Sequence, residues 1–461
     1  MEERYIASVD LGSSKIATAI GRTNENGDVE IVHYREHPSD GIRNGSIFNP
    51  TRAAVAVKSA IQQAEDELDI KIQRIVVGKP RFPIRQESAS GGVDREKPGE
   101  CIDNDEIDEL KRLALENYPL EDTDKFEIYG AVAQSFSTEE LIQSPQEDIV
   151  GVPAARLEGN FKVFVGKKSA ISNICTMMEK VGISAARTYF LPDFTAHAVL
   201  TANEMSNGVA LVEIGGGVTS LTIYRNNILR YYASIPFGGR NITWDIKNEF
   251  AIPETLAENI KLGFGACMPE KLLSMSEKII HINDPEDSSV VKVPVKELSE
   301  VITARMREII RAVLYLIEES GYADRLRSGV VLTGGCAQLV NCANLFHEMS
   351  GYNVRTGFAR TSGIISEGYP EIMSSAAVST IGMLLKAAKD TRLNCIEEVP
   401  GQTETITEVV EEDLTGTVFE QSELEAPAKP KKGSKRDSSG SNFSWGTKII
   451  EKLGDIFAEN E

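Results

Sequence analysis

Two stretches decide the fold: YIASVDLGSSK at residues 5–15 and GVALVEIGGGVTS at residues 208–220. Each is an apolar, strand-forming run that ends in a carboxylate, Asp10 or Glu213, and reaches a glycine two residues later, Gly12 or Gly215. Setting Asp10 on Glu213 sets Gly12 on Gly215, an offset of 203 residues, and the neighbouring segments repeat in the same order. YIASV (5–9), KIATAI (15–20) and VEIVHY (29–34) read as three strands. A helix follows, with Asn49 as N-cap, Pro50 in its first turn, and Ala54, Val57, Ile61, Ala64 and Leu68 at helical spacing. The second copy runs GVALVEI (208–214), VTSLTIY (218–224) and ILRYYASI (228–235), then a helix over about 239–250. Two such copies predict an α/β fold built from duplicated domains.

A third glycine turn, LTGGCAQL (332–339), follows a helix predicted from Ser299 to Glu319 with Ile302, Met306, Ile309, Ile310, Val313 and Ile317 on one face. Backbone N–H groups in such turns converge on an anion, and the missing Cβ lets a phosphate approach. Asp10 at a strand end suits a water-bridged Mg²⁺, with Ser13, Ser14 and Lys15 adding hydroxyls and a cation. Any one of these turns also fits an ordinary hairpin; the order of all three is the signal. The chain has neither G-x-G-x-x-G nor the Walker pattern, which argues against the Rossmann and P-loop classes.

Composition narrows the function. The chain has 461 residues and a net charge of −20, opposite to the basic footprint of a nucleic-acid binder. About half of that excess lies between Asp390 and Glu425, where eleven acids face Arg392 alone. Six dispersed cysteines show no zinc spacing. The N-terminal MEERYIASVDLG passes from charge straight into a strand, and no run approaches the ~18 apolar residues of a membrane span, so a cytoplasmic protein with at most peripheral membrane contact is expected. Residues 83–166 and 244–300 read as inserted subdomains. Residues 390–440, acidic and then basic through Lys429, Lys431, Lys432, Lys435 and Arg436, read as a disordered linker. Over 441–461, Phe443, Trp445, Ile449, Ile450, Leu453, Ile456 and Phe457 fall within an arc of about 160° of a helix turning ~100° per residue, with Lys448, Glu451, Lys452, Asp455 and Glu459 opposite. Such a terminal helix suits a membrane interface, and the upstream bases add roughly 1 kcal/mol each near anionic lipid.

SVDLGSSK, EIGGGVTS, VVLTGG, the stretch from Pro236 to Ile246 (PFGGRNITWDI) and AENIKLGFG (257–265) together resemble the actin, Hsp70 and sugar-kinase superfamily, and within it the bacterial FtsA cell-division family, over about residues 4–388. The resemblance implies an actin-like (ribonuclease H-like) fold with two inserted subdomains. One domain would take 1–82, 167–204 and 371–389, with 83–166 inserted. The other would take 205–243 and 301–370, with 244–300 inserted. It implies ATP and Mg²⁺ as cofactors: Asp10 and Gly12 to Lys15 as the first phosphate loop, Gly215, Gly216 and Gly217 as the second, Glu258 and Lys261 at the ribose, and Gly334 and Gly335 at the adenine. Family members usually carry D-I-G-G-G-T where Glu213 and Val218 stand here, so ATP binding is expected more firmly than turnover; Glu213 is the one catalytic candidate and any ATPase activity is slow. The resemblance further implies self-association into filaments, recruitment of the C-terminal peptide of FtsZ near Glu300 and Arg305, attachment to anionic lipid at the cytoplasmic face of the septal membrane, and contacts with other division proteins. A pilus-assembly protein of the PilM type and a small-molecule kinase of the same superfamily are the rival expectations.

Overall fold

The computed structural model of the chain describes residues 4–24, 28–283, 290–360, 363–366 and 368–396, with the backbone of 411–412 and 418–419. The loop at Asp284 and Pro285, nearly all of the expected linker and the whole amphipathic segment 441–461 lie outside the described residues.

Two sheets of like topology form the body. In the first, Arg4–Leu11 pairs antiparallel with Lys15–Thr23, which pairs antiparallel with Val29–Pro38. On its other side Arg4–Leu11 runs parallel to Arg74–Gly78, which runs parallel to Ser184–Tyr189. The second sheet repeats this pattern. Val209–Ile214 pairs antiparallel with Thr219–Arg225 and parallel with Val330–Thr333, while Ile228–Ile235 and Val354–Thr356 take the outer places. The short strand Ile364–Ile365 pairs with Val29–Pro38 and so lies in the first sheet.

Local chemistry accounts for these elements. Val209–Ile214 is buried at every position, the run expected of a strand covered on both faces. Helix Pro50–Leu68 starts as the sequence reading anticipates: the Asn49 side chain accepts from the Arg52 N–H and Pro50 occupies the first turn. The long helix is longer than the sequence reading, Val295–Glu319, because Pro294 is a compatible residue before a first turn and Val295 and Leu298 extend its buried stripe backwards. Helix Val378–Ala388 starts past Ser375, which is used in hydrogen bonds around the third glycine turn. Helices Gly239–Phe250 and Val295–Glu319 run through positions 244 and 300 without a break.

A third, three-stranded sheet, Arg85–Asp94, Phe126–Ser137 and Arg156–Lys167, places the last strand in the middle. Helix Asn104–Glu116 covers one face of it through Ile107, Leu110 and Ala114, and starts with a reciprocal Asp103–Glu106 capping box. An aromatic cluster joins this sheet to both lobes: Phe164 stacks on Phe190 at 4.7 Å between ring centroids, and Tyr232 meets Phe190 edge-on at 5.4 Å.

Candidate functional site

The two hairpin turns face each other across a cavity of about 660 Å³, within the size range of small-molecule sites. Every residue that the sequence reading assigned to cofactor binding lines it: Asp10, Gly12, Ser13, Ser14, Lys15, Gly215, Gly216, Gly217, Glu258, Lys261, Gly334 and Gly335, together with Glu213.

The first turn closes the pairing of Leu11 with Ile16. Ser39 donates its hydroxyl to the Gly12 carbonyl at 2.7 Å, and the Gly45 N–H donates to the Ser13 hydroxyl at 2.9 Å, so the turn is held from outside. Lys15 pairs with Glu36, which also accepts from the Tyr34 hydroxyl at 2.7 Å. The second turn closes the pairing of Ile214 with Thr219, with a Gly215 N–H to Val218 carbonyl bond of 2.9 Å. Its Gly215 and Gly216 carbonyls accept from the N–H groups of Gly239 and Arg240 at 2.9 and 2.7 Å, in the first turn of helix Gly239–Phe250. Among the described residues the N–H groups of Ser14, Gly216, Gly217 and Gly335 take no backbone acceptor, which leaves donors for an anion.

Glycine is required where the turns meet. A Cβ on Gly216 would collide with the Ser14 side chain, and one on Gly217 would come within 2.8 Å of the Ser13 hydroxyl. Gly334 has φ +88°, and its Cβ would lie 2.5 Å from the Ile214 carbonyl. Its N–H donates to the Ser375 carbonyl and its carbonyl accepts from the Ser375 hydroxyl, each at 3.0 Å, which ties the third turn to the segment leading into helix Val378–Ala388.

Lys261 is spent on holding its own surroundings. Its ammonium donates to Glu258 at 2.6 Å, to the Thr243 hydroxyl at 2.9 Å and to the Gly239 carbonyl at 3.1 Å, which exhausts its three donors. Thr243 also donates to Glu258. The pair therefore fixes helix Glu254–Phe264 to the start of helix Gly239–Phe250.

Three contributors escaped the sequence reading. Arg81 lies between the carboxylates, 2.7 Å from Glu213 and 3.8 Å from Asp10. Ser379, on the last helix, donates to the same Glu213 oxygen at 3.0 Å. Gly239, from another helix, caps the second turn. Of the three only Gly239 lies in a stretch that the sequence reading singled out, PFGGRNITWDI, where it was given no role. Burial pushes the Glu213 carboxyl above the usual carboxylate range, opposed by Arg81 and Ser379 and reinforced by Asp10.

The oxygen donors here fit a magnesium ion, a hard cation that keeps several waters. Asp10 and Glu213 supply two carboxylates at one end of the cavity, and among the described residues no group of three or more His, Cys, Asp or Glu is placed to cage a metal. The lining holds five carboxylates, Asp10, Glu36, Glu213, Glu258 and Glu371, against Lys15, Lys79, Arg81 and Lys261. A polyphosphate therefore meets a slightly negative wall, and its charge must be answered by backbone N–H groups and a bound cation.

Arg305 is engaged within the chain. It makes a bidentate pair with Asp245 at 2.6 and 2.9 Å and a bond to Glu308 at 2.6 Å; Glu300, one turn earlier, faces Lys296 at 3.8 Å. Asp245 comes from helix Gly239–Phe250 and Glu308 from the next turn of Arg305's own helix. Phe443, Trp445, Ile449, Ile450, Leu453, Ile456 and Phe457 lie outside the described residues.

Two domains of one topology, each lending a glycine turn to a shared cleft, define the actin-like class of α/β proteins. Consistent with this, the chain superposes on the solved structure of the "PilM-PilN type IV pilus biogenesis complex" with a TM-score of 0.58, covering 83% of this chain and 98% of that one at 13% identity, a likeness of fold alone. The sequence matches are more specific. Residues 210–381 match the family model "Cell division protein FtsA". Proteins of that name from Neisseria meningitidis serogroup B and Borreliella burgdorferi are 29% and 27% identical, covering 84% and 87% of this chain and 91% and 94% of theirs. Over most of its length the chain is thus similar to the FtsA cell-division proteins.

Proposed function

We propose that the chain binds ATP with Mg²⁺ between its lobes and uses it to control self-association on a membrane, where it tethers FtsZ through that protein's C-terminal peptide. The observation that carries this reading is the convergence of all three glycine turns and both strand-end carboxylates on one cavity. The Ser14, Gly216 and Gly217 amides would hold phosphates, Gly334 and Gly335 would border the adenine, and Glu258, held by Lys261, would meet the ribose. Asp10 would hold the magnesium ion through water, and the ion would offset phosphate charge. Glu213 stands where family members usually carry Asp, and its carboxylate is already engaged by Arg81 and Ser379, so hydrolysis is slow at most.

The division of labour follows the expected domains: 1–82, 167–204 and 371–389 with 83–166 inserted, and 205–243 and 301–370 with 244–300 inserted. Residues 390–440 would serve as linker and 441–461 as the membrane helix. Seven half-buried apolar side chains contribute on the order of 1 kcal/mol each, and ordering the helix offsets much of that. One tail therefore attaches reversibly, whereas a filament presents many tails at high effective concentration. The protein then acts at the cytoplasmic face of the septal membrane, where other division proteins join it.

Co-sedimentation with phosphatidylglycerol vesicles tests this reading, using the full chain and one ending at residue 440, with and without ATP. The full chain should sediment more with ATP, and the shortened one should stay in solution while retaining its nucleotide affinity. Equal sedimentation of the two would remove the tethering role.

A further inference from the structure

Arg81 has no part in the nucleotide reading above, yet it occupies the middle of the carboxylate end of the cavity. It follows strand Arg74–Gly78 of the first lobe, and its carbonyl is gripped by the second lobe, accepting from the Tyr232 and Ser234 hydroxyls at 2.8 Å each. The guanidinium spans both lobes' carboxylates, with Nη1 2.7 Å from Glu213 and Nη2 3.8 Å from Asp10. Nε and Nη2 are sealed from solvent and make no hydrogen bond. The other nearby cations are committed elsewhere, Lys15 to Glu36 and Lys261 to Glu258.

A guanidinium keeps its proton throughout the range in which proteins fold. A permanent positive charge thus stands where two carboxylates would otherwise attract a divalent ion. Opposite charges a few ångströms apart in a partly buried cleft interact far more strongly than in water.

We propose that Arg81 is a built-in counter-cation that competes with magnesium at Asp10 and Glu213, and so sets how strongly nucleotide binding depends on the divalent ion. The inference rests on the nucleotide reading. The long contact to Asp10 is the one that yields when magnesium arrives, while Glu213 and the gripped carbonyl keep the side chain at the edge of the site. Arg81 is thus a specificity-determining residue for the metal requirement of the site.

The test measures the affinity of the full chain for a fluorescent ATP analogue in magnesium and in EDTA, and takes the ratio of the dissociation constant in EDTA to that in magnesium. Arg81→Met should raise that ratio at least about tenfold, whereas Arg81→Lys, which keeps the charge, should stay within about threefold of the unsubstituted chain. Without nucleotide, electron paramagnetic resonance should detect a bound Mn²⁺ in Arg81→Met that the unsubstituted chain does not hold. Should circular dichroism show Arg81→Met unfolded, Arg81→Gln carries the same comparison. An unchanged ratio with no Mn²⁺ gained overturns the inference, as does weakening by the same factor in magnesium and in EDTA, the mark of a plain phosphate contact. No saturable binding by the unsubstituted chain would instead remove the nucleotide reading, and this inference with it.

Discussion

Gly216 is one of the residues at which the two lobes meet through their turns, and the space left for it is set by Ser14. Gly216→Ala should push the turns apart, lowering affinity for a fluorescent ATP analogue about tenfold. Unfolding by urea should change by less than about 1 kcal/mol, because the turn lies in the cleft and outside both cores. Unaltered affinity would show that the turns need not meet. His33 reports on pH. It is fully buried in the first lobe, with Nδ1 3.0 Å from Glu67 and Nε2 3.5 Å from Thr18. Burial pushes its pKa below the ordinary value; Glu67 opposes this, and Arg35 and His37 reinforce it. The unfolded chain therefore takes up this proton first. The stability contribution of a neutral His33 is complete above about pH 6.5 and is lost as pH falls from there toward the depressed folded value. The nearby His37 is depressed in the same sense, first by burial, so His33→Gln removes only part of the effect. The urea midpoint should fall less between pH 7.5 and 5.5 in His33→Gln than in the unsubstituted chain; an equal fall in both would exclude the residue.

At the scale of elements, the Arg305–Asp245 pair joins the long helix Val295–Glu319 to helix Gly239–Phe250. A docking role for Arg305 then implies competition between Asp245 and an incoming carboxylate for the same guanidinium fork. Asp245→Asn should tighten binding of the FtsZ C-terminal peptide several-fold by fluorescence anisotropy, and Arg305→Ala should weaken it. If Asp245→Asn binds no better, Arg305 serves the helix pair and not the peptide. Residues 299–319 show the apolar period, and Val295 and Leu298 continue it one turn back beyond the Ser299 start of the sequence reading.

For the whole molecule, the lobes are bound by the Phe164, Phe190 and Tyr232 cluster and by the hydroxyls that hold the Arg81 carbonyl. Tyr232→Phe keeps the ring and removes one of those bonds. It should cost about 1 kcal/mol in urea unfolding and speed hydrogen exchange around residues 79–82, with little change within either sheet. Exchange that rises evenly over both lobes would mean that the hydroxyl is not a local tie.

The duplicated strand–turn–strand order, the three glycine turns and the charged tail with its terminal amphipathic pattern were all determined by the sequence itself, because each depends on neighbours a few residues apart: the two-residue period of strands, the 3.6-residue period of helices and the freedom of glycine. Arg81 between Asp10 and Glu213, Ser379 on Glu213 and Asp245 on Arg305 were decided by the tertiary structure. Those pairs join residues remote in the chain. They exist only because two separately patterned sheets face each other at a particular distance, and an ion pair is set by distance and burial, which no local pattern records.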